Sequence, residues 1–219
     1  MKFFLDTANL ETITSWNGTG IIDGVTTNPT LLSKEGSDPK ELILKICDTV
    51  KQGQISVEVT EQAPNAIYQQ AKEIAALSNN IVVKIPCNVD YYATMKKLCT
   101  EGVKINATLV FSLPQALAAA KLGATYISPF IGRCDDIGID GIVLLEEICV
   151  AVRGYEFGSE VLAASLRSVA HLHAAIDAGT DIATVPVTVL QKALAHPLLT
   201  AGMAQFNSDW QKLGIKQFP

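Results

Sequence analysis

Short apolar runs rich in β-branched residues recur along the whole chain and alternate with stretches that carry apolar residues at helical spacing. Eight such runs predict β-strands, at residues 2–5, 21–25, 55–59, 81–85, 103–110, 124–128, 161–164 and 181–185. Between them, Ala-, Leu-, Glu- and Lys-rich stretches such as 63–77, 114–122 and 143–152 predict helices. Alternation of this kind is typical of a parallel sheet whose strands are connected by crossover helices.

Eight strand–helix units within about 190 residues favour a closed (β/α)8 barrel over an open, doubly wound sheet. The loop after the first strand reads Asp6-Thr7-Ala8-Asn9, whereas a dinucleotide-binding fold of the open class carries a GxGxxG turn there. No linker, low-complexity tract or change of composition divides the chain. We therefore predict an α/β protein with one domain over residues 1–219, a single (β/α)8 TIM barrel.

A last apolar stripe lies beyond the eighth strand and the helix that follows it. Within residues 196–214, Met203, Phe206, Trp210 and Leu213 recur at helical spacing. A closed barrel does not need this face for its own core. The pattern predicts a C-terminal helical extension that packs against something outside the barrel.

The composition excludes several classes of protein. With 48% hydrophobic and 18% charged residues, the chain is neither disordered nor fibrous. A net charge of −5 provides no basic surface for nucleic acid or anionic lipid. Asp6 comes too early for the apolar region of a signal peptide, and the longest uncharged stretch, 105–120, contains polar residues and a proline. Five widely spaced cysteines without a CxxC pair indicate reduced thiols, so we expect a cytoplasmic protein that binds neither nucleic acid nor membranes.

Polar residues stand at or just beyond the end of every predicted strand. In a (β/α)8 barrel the C-terminal ends of the strands carry the chemistry, so these positions are candidates for an active site. They are Asp6, Thr26, Asn28, Glu58, Lys84, Asn106, Thr108, Ser128, Ser165 and Thr184. Helix caps and ordinary strand-end hydroxyls explain several of them equally well, so the pattern alone does not establish a function.

Lys84 interrupts an apolar, β-branched run that extends from Ile81 to Ile85. A strand of a parallel barrel is buried on both faces, and lysines are rarely buried without a partner or a function. One interpretation is a side chain that reaches solvent at the strand end, and the other is an amine that attacks a carbonyl to form a Schiff base. Glu58 holds the matching place on the preceding strand, where it would neutralise the lysine or move protons for it through a water.

Two arginines stand in neighbouring predicted loops. Arg133 follows the sixth strand, and Ser165 and Arg167 follow the seventh. Guanidinium groups present a planar fork of donors, and the loop after the seventh strand is a frequent phosphate site in these barrels. In an acidic chain with only 17 Lys and Arg residues, this placement favours a phosphate clamp over a pair of solvated surface arginines.

Eight ordered motifs resemble those of transaldolases, and in particular the short, single-barrel subfamily that also contains fructose-6-phosphate aldolase. The motifs are FLDTAN (4–9), GVTTNPTLL (24–32), SVEV (56–59), VVKIP (82–86), INATLVFS (105–112), SPFIGR (128–133), LAASLRS (162–168) and DIATVP (181–186). The resemblance covers essentially the whole chain, including the segment HPLLTAGMAQFNSDW at residues 196–210.

The resemblance implies an enzyme without metal or cofactor in which Lys84 forms a Schiff base with a ketose phosphate. It implies that Asp6 takes the proton of the C4 hydroxyl as the C3–C4 bond breaks, and that Glu58 and Thr108 handle the catalytic water. The implied substrate-binding residues are Thr26, Asn28, Asn106, Ser128 and Phe130 in the pocket, and Arg133, Ser165 and Arg167 at the phosphate. The subfamily also implies rings of five, often stacked to ten, so we expect a homo-pentamer or decamer.

On this resemblance we expect a transaldolase of the pentose phosphate pathway. It would transfer a dihydroxyacetone unit from sedoheptulose 7-phosphate to glyceraldehyde 3-phosphate, giving erythrose 4-phosphate and fructose 6-phosphate. The alternative is a fructose-6-phosphate aldolase that releases free dihydroxyacetone. For that branch the resemblance implies Gln and Tyr where this chain has Glu58 and Phe130.

Two further alternatives belong to other classes. A metal-dependent enzyme needs clusters of His and carboxylates, but the chain has three histidines, and His171 and His173 fall on different faces of a predicted helix. A sugar-phosphate-binding protein without activity is possible on any barrel. The presence of Lys84, Glu58 and Asp6 argues against it, because binding alone does not require a buried amine.

Overall fold

The eight predicted strands close into one parallel barrel in chain order. The structure is a computed structural model, and it describes residues 1–214. The strands are β1 Lys2–Asp6, β2 Gly24–Thr26, β3 Gln54–Glu58, β4 Ile81–Pro86, β5 Ile105–Val110, β6 Tyr126–Pro129, β7 Glu160–Ala163 and β8 Ile182–Val185. Because β8 pairs in parallel with β1, the sheet is closed, and the prediction of a (β/α)8 barrel is confirmed.

Helices surround the barrel and connect its strands. They are α1 Leu10–Asn17, α2 Pro29–Lys34, α3 Pro39–Thr49, α4 Pro64–Ala75, α5 Tyr92–Thr100, α6 Leu113–Leu122, α7 Ile131–Asp135, α8 Gly141–Gly154, α9 Val169–Asp177, α10 Val187–Leu194 and α11 Pro197–Lys212, with a 3₁₀ turn at Val89–Tyr91. Many begin at a side-chain cap, such as Asn28, whose side-chain oxygen accepts the Leu31 N–H, and Ser168, whose hydroxyl accepts the His171 N–H. Within residues 1–214, no helix has the length and apolar character required to cross a membrane.

The second strand differs most from its prediction. We predicted 21–25, but β2 begins at Gly24. The apolar run predicts a strand from residue 21, and Ile22 is indeed buried, but the register of β2 with β1 does not include residues 21–23. Asp23, just before the strand, is bound to β1 twice: its backbone N–H donates to the Phe3 carbonyl oxygen, and its carboxylate accepts the Phe3 N–H, both at 2.8 Å. Pairing starts at Gly24, where a Cβ atom would lie 2.4 Å from the Gln54 carbonyl oxygen.

The lumen of the barrel has an apolar floor and a polar upper layer. The floor consists of Phe4, Val82, Tyr126, Leu162, Ala164 and Ile182, and a larger apolar core separates the strands from the helices. Side chains of a strand alternate between its two faces, so the residue two positions further on faces the lumen again. On β1 and β4 those residues are Asp6 and Lys84, which places polar groups directly above the floor.

Helix α11 follows the barrel, as predicted for residues 196–214. It begins after His196, whose Nδ1 atom accepts the Leu198 N–H. Several apolar side chains on it are exposed, including Leu198, Met203 and Phe206, the last with 75% of its surface accessible. The predicted apolar face therefore exists on the helix, and its residues Met203 and Phe206 are largely exposed.

Candidate active site

Lys84 projects into the lumen from β4. The residue is only 5% exposed, and its Nζ atom donates a hydrogen bond to the Thr27 carbonyl oxygen at 3.0 Å. A carboxylate oxygen of Glu58 lies 3.1 Å from the same nitrogen, and the two residues are in register on β3 and β4. Of the two interpretations of this lysine, the structure therefore contradicts a side chain that reaches solvent. It holds a buried, paired amine.

A cavity of about 120 Å³ opens above Lys84 at the C-terminal ends of the strands. Its lining residues are Asp6, Thr26, Asn28, Lys84, Asn106, Thr108, Ser128, Phe130, Arg133, Leu162, Ala164, Ser165 and Thr184. Ten of the twelve residues predicted for the site are among them. The thirteen lining residues come from seven different strands or the loops after them, and closure of the barrel is what brings them together.

The two other predicted residues, Glu58 and Arg167, do not line this cavity. Glu58 forms an ion pair with Lys84, which does line the cavity. The Arg167 guanidinium forms a bidentate pair with the Asp136 carboxylate at the end of α7. The hydrogen bonds from Arg167 lower the pKa of the Asp136 carboxyl. Arg167 thus stands beside the cavity with its charge matched by a carboxylate.

Asp6 sits in the lumen with a hydroxyl beside it. Its Oδ1 atom accepts a hydrogen bond from the Thr26 hydroxyl at 3.0 Å, and that hydroxyl also lies 2.5 Å from the hydroxyl of Thr184. Burial raises the pKa of the Asp6 carboxyl above its usual range, while the bond from Thr26 and the charge of Lys84 act in the opposite direction. The environment therefore favours the protonated form of Asp6 more than water does.

Asn106, in register with Lys84 on the next strand, belongs to a second chain of polar groups. The Ser128 hydroxyl donates to Asn106 Oδ1 at 2.7 Å, and Asn106 Nδ2 donates to the Ser56 hydroxyl at 3.1 Å. All three residues are fully buried or nearly so. Both ends of the Asn106 amide are thereby fixed, so its orientation in the lumen is determined by protein partners.

Thr108 lies at an irregularity of β5. The register between β5 and β6 shifts between Ala107 and Val110, and Leu109 adopts a left-handed conformation with φ of 57°. Within residues 1–214, the Thr108 hydroxyl is the buried side-chain polar atom that has no hydrogen-bond partner. Since buried polar groups normally have a partner, this hydroxyl is suited to hold a water or a ligand in the cavity.

The rim of the cavity is formed by α7 and the loop after β7. The Arg133 guanidinium on α7 lies 5.2 Å from the centre of the Phe130 ring. Ser165 in the loop has a positive φ of 60°, which is strained for a residue other than glycine. At Gly132 an added Cβ atom would lie 2.5 Å from the Ser165 carbonyl oxygen, so only glycine permits this approach.

Sequence reasoning missed parts of the site. Thr184 shows the strand-end pattern, but no role was predicted for it. The Thr27 carbonyl oxygen that binds Lys84 is a backbone atom, and residue type gives no signal for it. Asp136 is equally unmarked, because the sequence does not show that α7 brings its carboxylate to Arg167.

The described residues hold no arrangement typical of a metal site. Within residues 1–214, no group of three or more His, Cys, Asp and Glu side chains is close enough to bind an ion. The five cysteines are free thiols, four of them buried. His171 is next to Asp135, whereas His173 on the same helix is exposed.

Comparisons with known proteins concern the family of the chain. The family described as Transaldolase/Fructose-6-phosphate aldolase matches residues 3–217. The chain is 47% identical to a probable transaldolase of Bdellovibrio bacteriovorus, over 97% of this chain and 98% of that protein. It is 46% identical to one of Methanococcus maripaludis (96% and 98% covered) and 44% identical to one of a Thermoanaerobacter species (99% and 100% covered).

A solved structure gives a more distant likeness. Thiamine phosphate pyrophosphorylase from Pyrococcus furiosus superimposes with a TM-score of 0.57, at 17% identity, over 84% of this chain and 85% of that one. At this identity the likeness concerns the barrel fold alone. The full-length match and the close relatives decide the family: this chain belongs to the transaldolase/fructose-6-phosphate aldolase family of enzymes.

Proposed function

We propose that the protein is a class I transaldolase, which transfers a dihydroxyacetone unit between sugar phosphates through a Schiff base on Lys84. The donor is sedoheptulose 7-phosphate, the acceptor is glyceraldehyde 3-phosphate, and the products are erythrose 4-phosphate and fructose 6-phosphate. One observation carries the proposal: a buried lysine amine faces a polar cavity, 3.1 Å from a carboxylate. We further propose a cytoplasmic enzyme of the pentose phosphate pathway, in keeping with these substrates.

The lysine supplies the electron sink. In its neutral form the Lys84 amine attacks the C2 carbonyl of the ketose phosphate, and loss of water gives an iminium ion. When the C3–C4 bond breaks, its electron pair moves towards the iminium nitrogen. The iminium ion thereby becomes an enamine, and the aldehyde fragment leaves. The acceptor aldehyde reverses these steps. Because the iminium stabilises the carbanion, the reaction as proposed requires no metal or other cofactor.

Asp6 is the proposed proton carrier for bond cleavage. As the C3–C4 bond breaks, the carboxylate accepts the proton of the C4 hydroxyl, and it returns a proton to the aldehyde oxygen of the acceptor. A base that also acts as an acid works best when its pKa is closer to the working pH. The raised pKa of the Asp6 carboxyl is therefore consistent with this role.

Water must be removed and added again at C2, and we assign this task to Glu58 and Thr108. The Glu58 carboxylate is 3.1 Å from the Lys84 nitrogen, within reach of a water beside the carbinolamine. The Thr108 hydroxyl has no protein partner in the described chain and lines the same cavity. Together the two side chains provide an acceptor and a hydroxyl for one water.

The remaining cavity residues are proposed to bind the sugar phosphate. Thr26, Asn28, Asn106 and Ser128 line the part next to Lys84, where the dihydroxyacetone hydroxyls would lie. Asn28 uses its side-chain oxygen to cap α2, which leaves its NH2 group to donate to a ligand. At the rim, Arg133, Ser165 and Arg167 would bind the phosphate, and Arg167 would share its donors between the phosphate and Asp136.

The residue beside the imine decides between transferase and aldolase. An aldolase must protonate the enamine and hydrolyse the imine to release dihydroxyacetone, whereas a transferase must keep the enamine until an acceptor arrives. Phe130 lines the cavity, and its ring offers neither a proton donor nor an acceptor. We therefore favour the transferase, with fructose-6-phosphate aldolase as the alternative.

Reduction with borohydride tests the proposal. Incubation with fructose 6-phosphate and borohydride should add a reduced sugar fragment to the protein, visible by intact mass and located on Lys84 by peptide mapping. The Lys84→Ala variant should give no adduct, whereas Lys104→Ala, at a lysine at the other end of the barrel, should label normally. No adduct on the wild type, or an unchanged adduct on Lys84→Ala, would contradict the Schiff-base mechanism. Loss of activity after addition of a chelator would instead favour a metal-dependent enzyme.

We also propose that the protein assembles into a homo-pentamer or decamer. Support comes from the exposed apolar side chains of α11, such as Met203 and Phe206, because exposed apolar patches commonly mark interfaces. Light scattering at micromolar concentration should give five or ten times the mass of the 23.4 kDa chain. A monomer mass would contradict the assembly, and Phe206→Glu tests whether α11 takes part in it.

A further inference from the structure

Two separate pieces of chain carry the proposed phosphate clamp, and their relative position decides whether the clamp works. Arg133 lies on α7, and Ser165 and Arg167 lie in the loop after β7. Backbone hydrogen bonds connect the two pieces, from Ile131 N–H to the Ala164 oxygen and from Gly132 N–H to the Ser165 oxygen, both at 3.1 Å. These bonds fix the start of the loop.

His171 connects the far end of the same loop to α7. Its ring lies on α9, where Nδ1 accepts the Arg167 backbone N–H at 3.3 Å and Nε2 lies 3.2 Å from Oδ2 of Asp135. The second oxygen of Asp135 accepts the Gly141 N–H at the start of α8, at 3.1 Å. One imidazole thus joins the phosphate loop to α7, and Asp135 joins α7 to α8.

The chemistry of this bridge requires one form of the ring. A backbone N–H is a donor, so Nδ1 must present its lone pair, and the ring proton must sit on Nε2, where it can be donated to Asp135. The same loop contains the strained Ser165, whose positive φ persists only if its surroundings hold it. The bonds at 164–165 hold one side of this residue, and the bond from Arg167 to His171 holds the other.

From this geometry we propose that His171, oriented by Asp135, is a positioning residue for the phosphate-binding loop. It does not line the cavity and takes no part in proton transfer. It fixes the loop backbone so that Ser165 and Arg167 face the same phosphate as Arg133. The inference rests on the proposed function, because it concerns how that enzyme recognises the phosphate of its donor.

This role separates two kinds of substrate. Fructose 6-phosphate needs both the Schiff-base lysine and the phosphate loop, whereas dihydroxyacetone has no phosphate and needs the lysine alone. Loss of the bridge should therefore weaken only the phosphorylated compound. A merely structural role of His171 would affect the two compounds alike.

The test is the concentration dependence of borohydride trapping on Lys84, with fructose 6-phosphate and with dihydroxyacetone. His171→Ala should raise the half-saturating concentration of fructose 6-phosphate by about tenfold, the effect of losing one or two hydrogen bonds. The half-saturating concentration of dihydroxyacetone and the maximal trapping rates should change less than about twofold. His173→Ala, at an exposed histidine of the same helix, is the matched control and should change nothing.

Two conservative variants test the bridge atom by atom and also serve if His171→Ala folds poorly. In His171→Asn the side-chain oxygen takes the place of Nδ1 and keeps an acceptor for the Arg167 N–H, so most of the affinity for fructose 6-phosphate should return. In His171→Gln the longer side chain places its amide near the position of Nε2, beside Asp135, and leaves the Arg167 N–H without an acceptor. The affinity for fructose 6-phosphate should therefore stay as low as in His171→Ala. An equal change for both compounds, or no change for fructose 6-phosphate, would overturn the inference, and a wild type that traps neither would overturn the proposed function with it.

Discussion

The side chains of Lys84 and Glu58 meet across two adjacent strands, with Nζ 3.1 Å from Oε2. Their side chains are only 6% and 15% exposed, so the pair is largely shielded from water. The lysine also donates to the Thr27 carbonyl oxygen, which fixes the direction of the amine. A buried ammonium is tolerated here because it has both a counter-ion and a hydrogen-bond acceptor.

Replacing Glu58 by Gln keeps the shape of the side chain and removes its charge and basicity. We expect adduct formation on Lys84 to slow by about 10²–10⁴-fold, because the amide cannot take a proton from water. The free energy of unfolding at neutral pH should fall by about 1–3 kcal/mol, because Lys84 then has only neutral acceptors. Borohydride trapping stopped at successive times measures the rate of adduct formation, and urea unfolding measures the stability. Glu61→Gln, at an exposed position, is the control. Equal trapping rates in Glu58→Gln and Glu61→Gln would refute the role of Glu58.

The raised pKa of Asp6 makes a linked prediction for stability and activity. A carboxyl whose folded-state pKa lies above its unfolded value favours folding when protonated, and this contribution is lost as the pH rises through the folded pKa. Asp6→Asn cannot ionise, so it should melt at a higher temperature than the wild type at pH 8, and the difference should vanish below about pH 4. A lower melting temperature at pH 8 would show that burial does not dominate at Asp6.

Asp6→Asn should also lose transfer activity. Without the carboxylate, cleavage of the C3–C4 bond should slow by about 10²–10⁴-fold, whereas the Schiff base with dihydroxyacetone should still form. Transfer assays and borohydride trapping on one preparation separate the two steps. Full transfer activity in Asp6→Asn would contradict the proposed proton carrier.

Thr108→Val removes a buried hydroxyl that has no protein partner and replaces it with a methyl group of similar size. We expect the protein to become more stable by about 1 kcal/mol, because burial of the unpaired hydroxyl is unfavourable. Turnover should decrease, since the water at C2 loses one of its two proposed partners. Thr180→Val is the control, because the Thr180 hydroxyl is buried near Cys149, away from the cavity. A Thr108→Val variant that is less stable and fully active would contradict both expectations.

Phe130→Tyr should move the outcome from transfer towards cleavage. The new hydroxyl, in the cavity that Lys84 also lines, would position a water and deliver a proton to the enamine, and such a group changes a step by about 10²–10⁴-fold. Release of free dihydroxyacetone from fructose 6-phosphate should rise, and transfer to erythrose 4-phosphate should fall. Coupled assays of both products provide the measurement. If the wild type already cleaves fructose 6-phosphate as fast without an acceptor as with one, the aldolase alternative is correct.

The number and order of the strands followed from the sequence because burial leaves a direct mark on it. Each barrel strand is covered on both faces and reads as a short apolar run, and each helix shows one apolar stripe. The start of β2 did not follow in the same way, because Ile22 is apolar and buried although it precedes the strand. An apolar pattern reports burial, not backbone pairing.

The sequence by itself predicted ten of the residues that line the cavity, because polar side chains at the C-terminal ends of apolar barrel strands converge at one end of the barrel. It could not determine the partners of those groups. Only the closed barrel sets Glu58 against Lys84, presents the Thr27 carbonyl oxygen, and leaves the Thr108 hydroxyl without a partner in the described chain. The bridge of His171 between Arg167 and Asp135 likewise joins α9, a loop and α7. Distances between residues far apart in the chain are fixed by packing, and residue order carries no direct record of them.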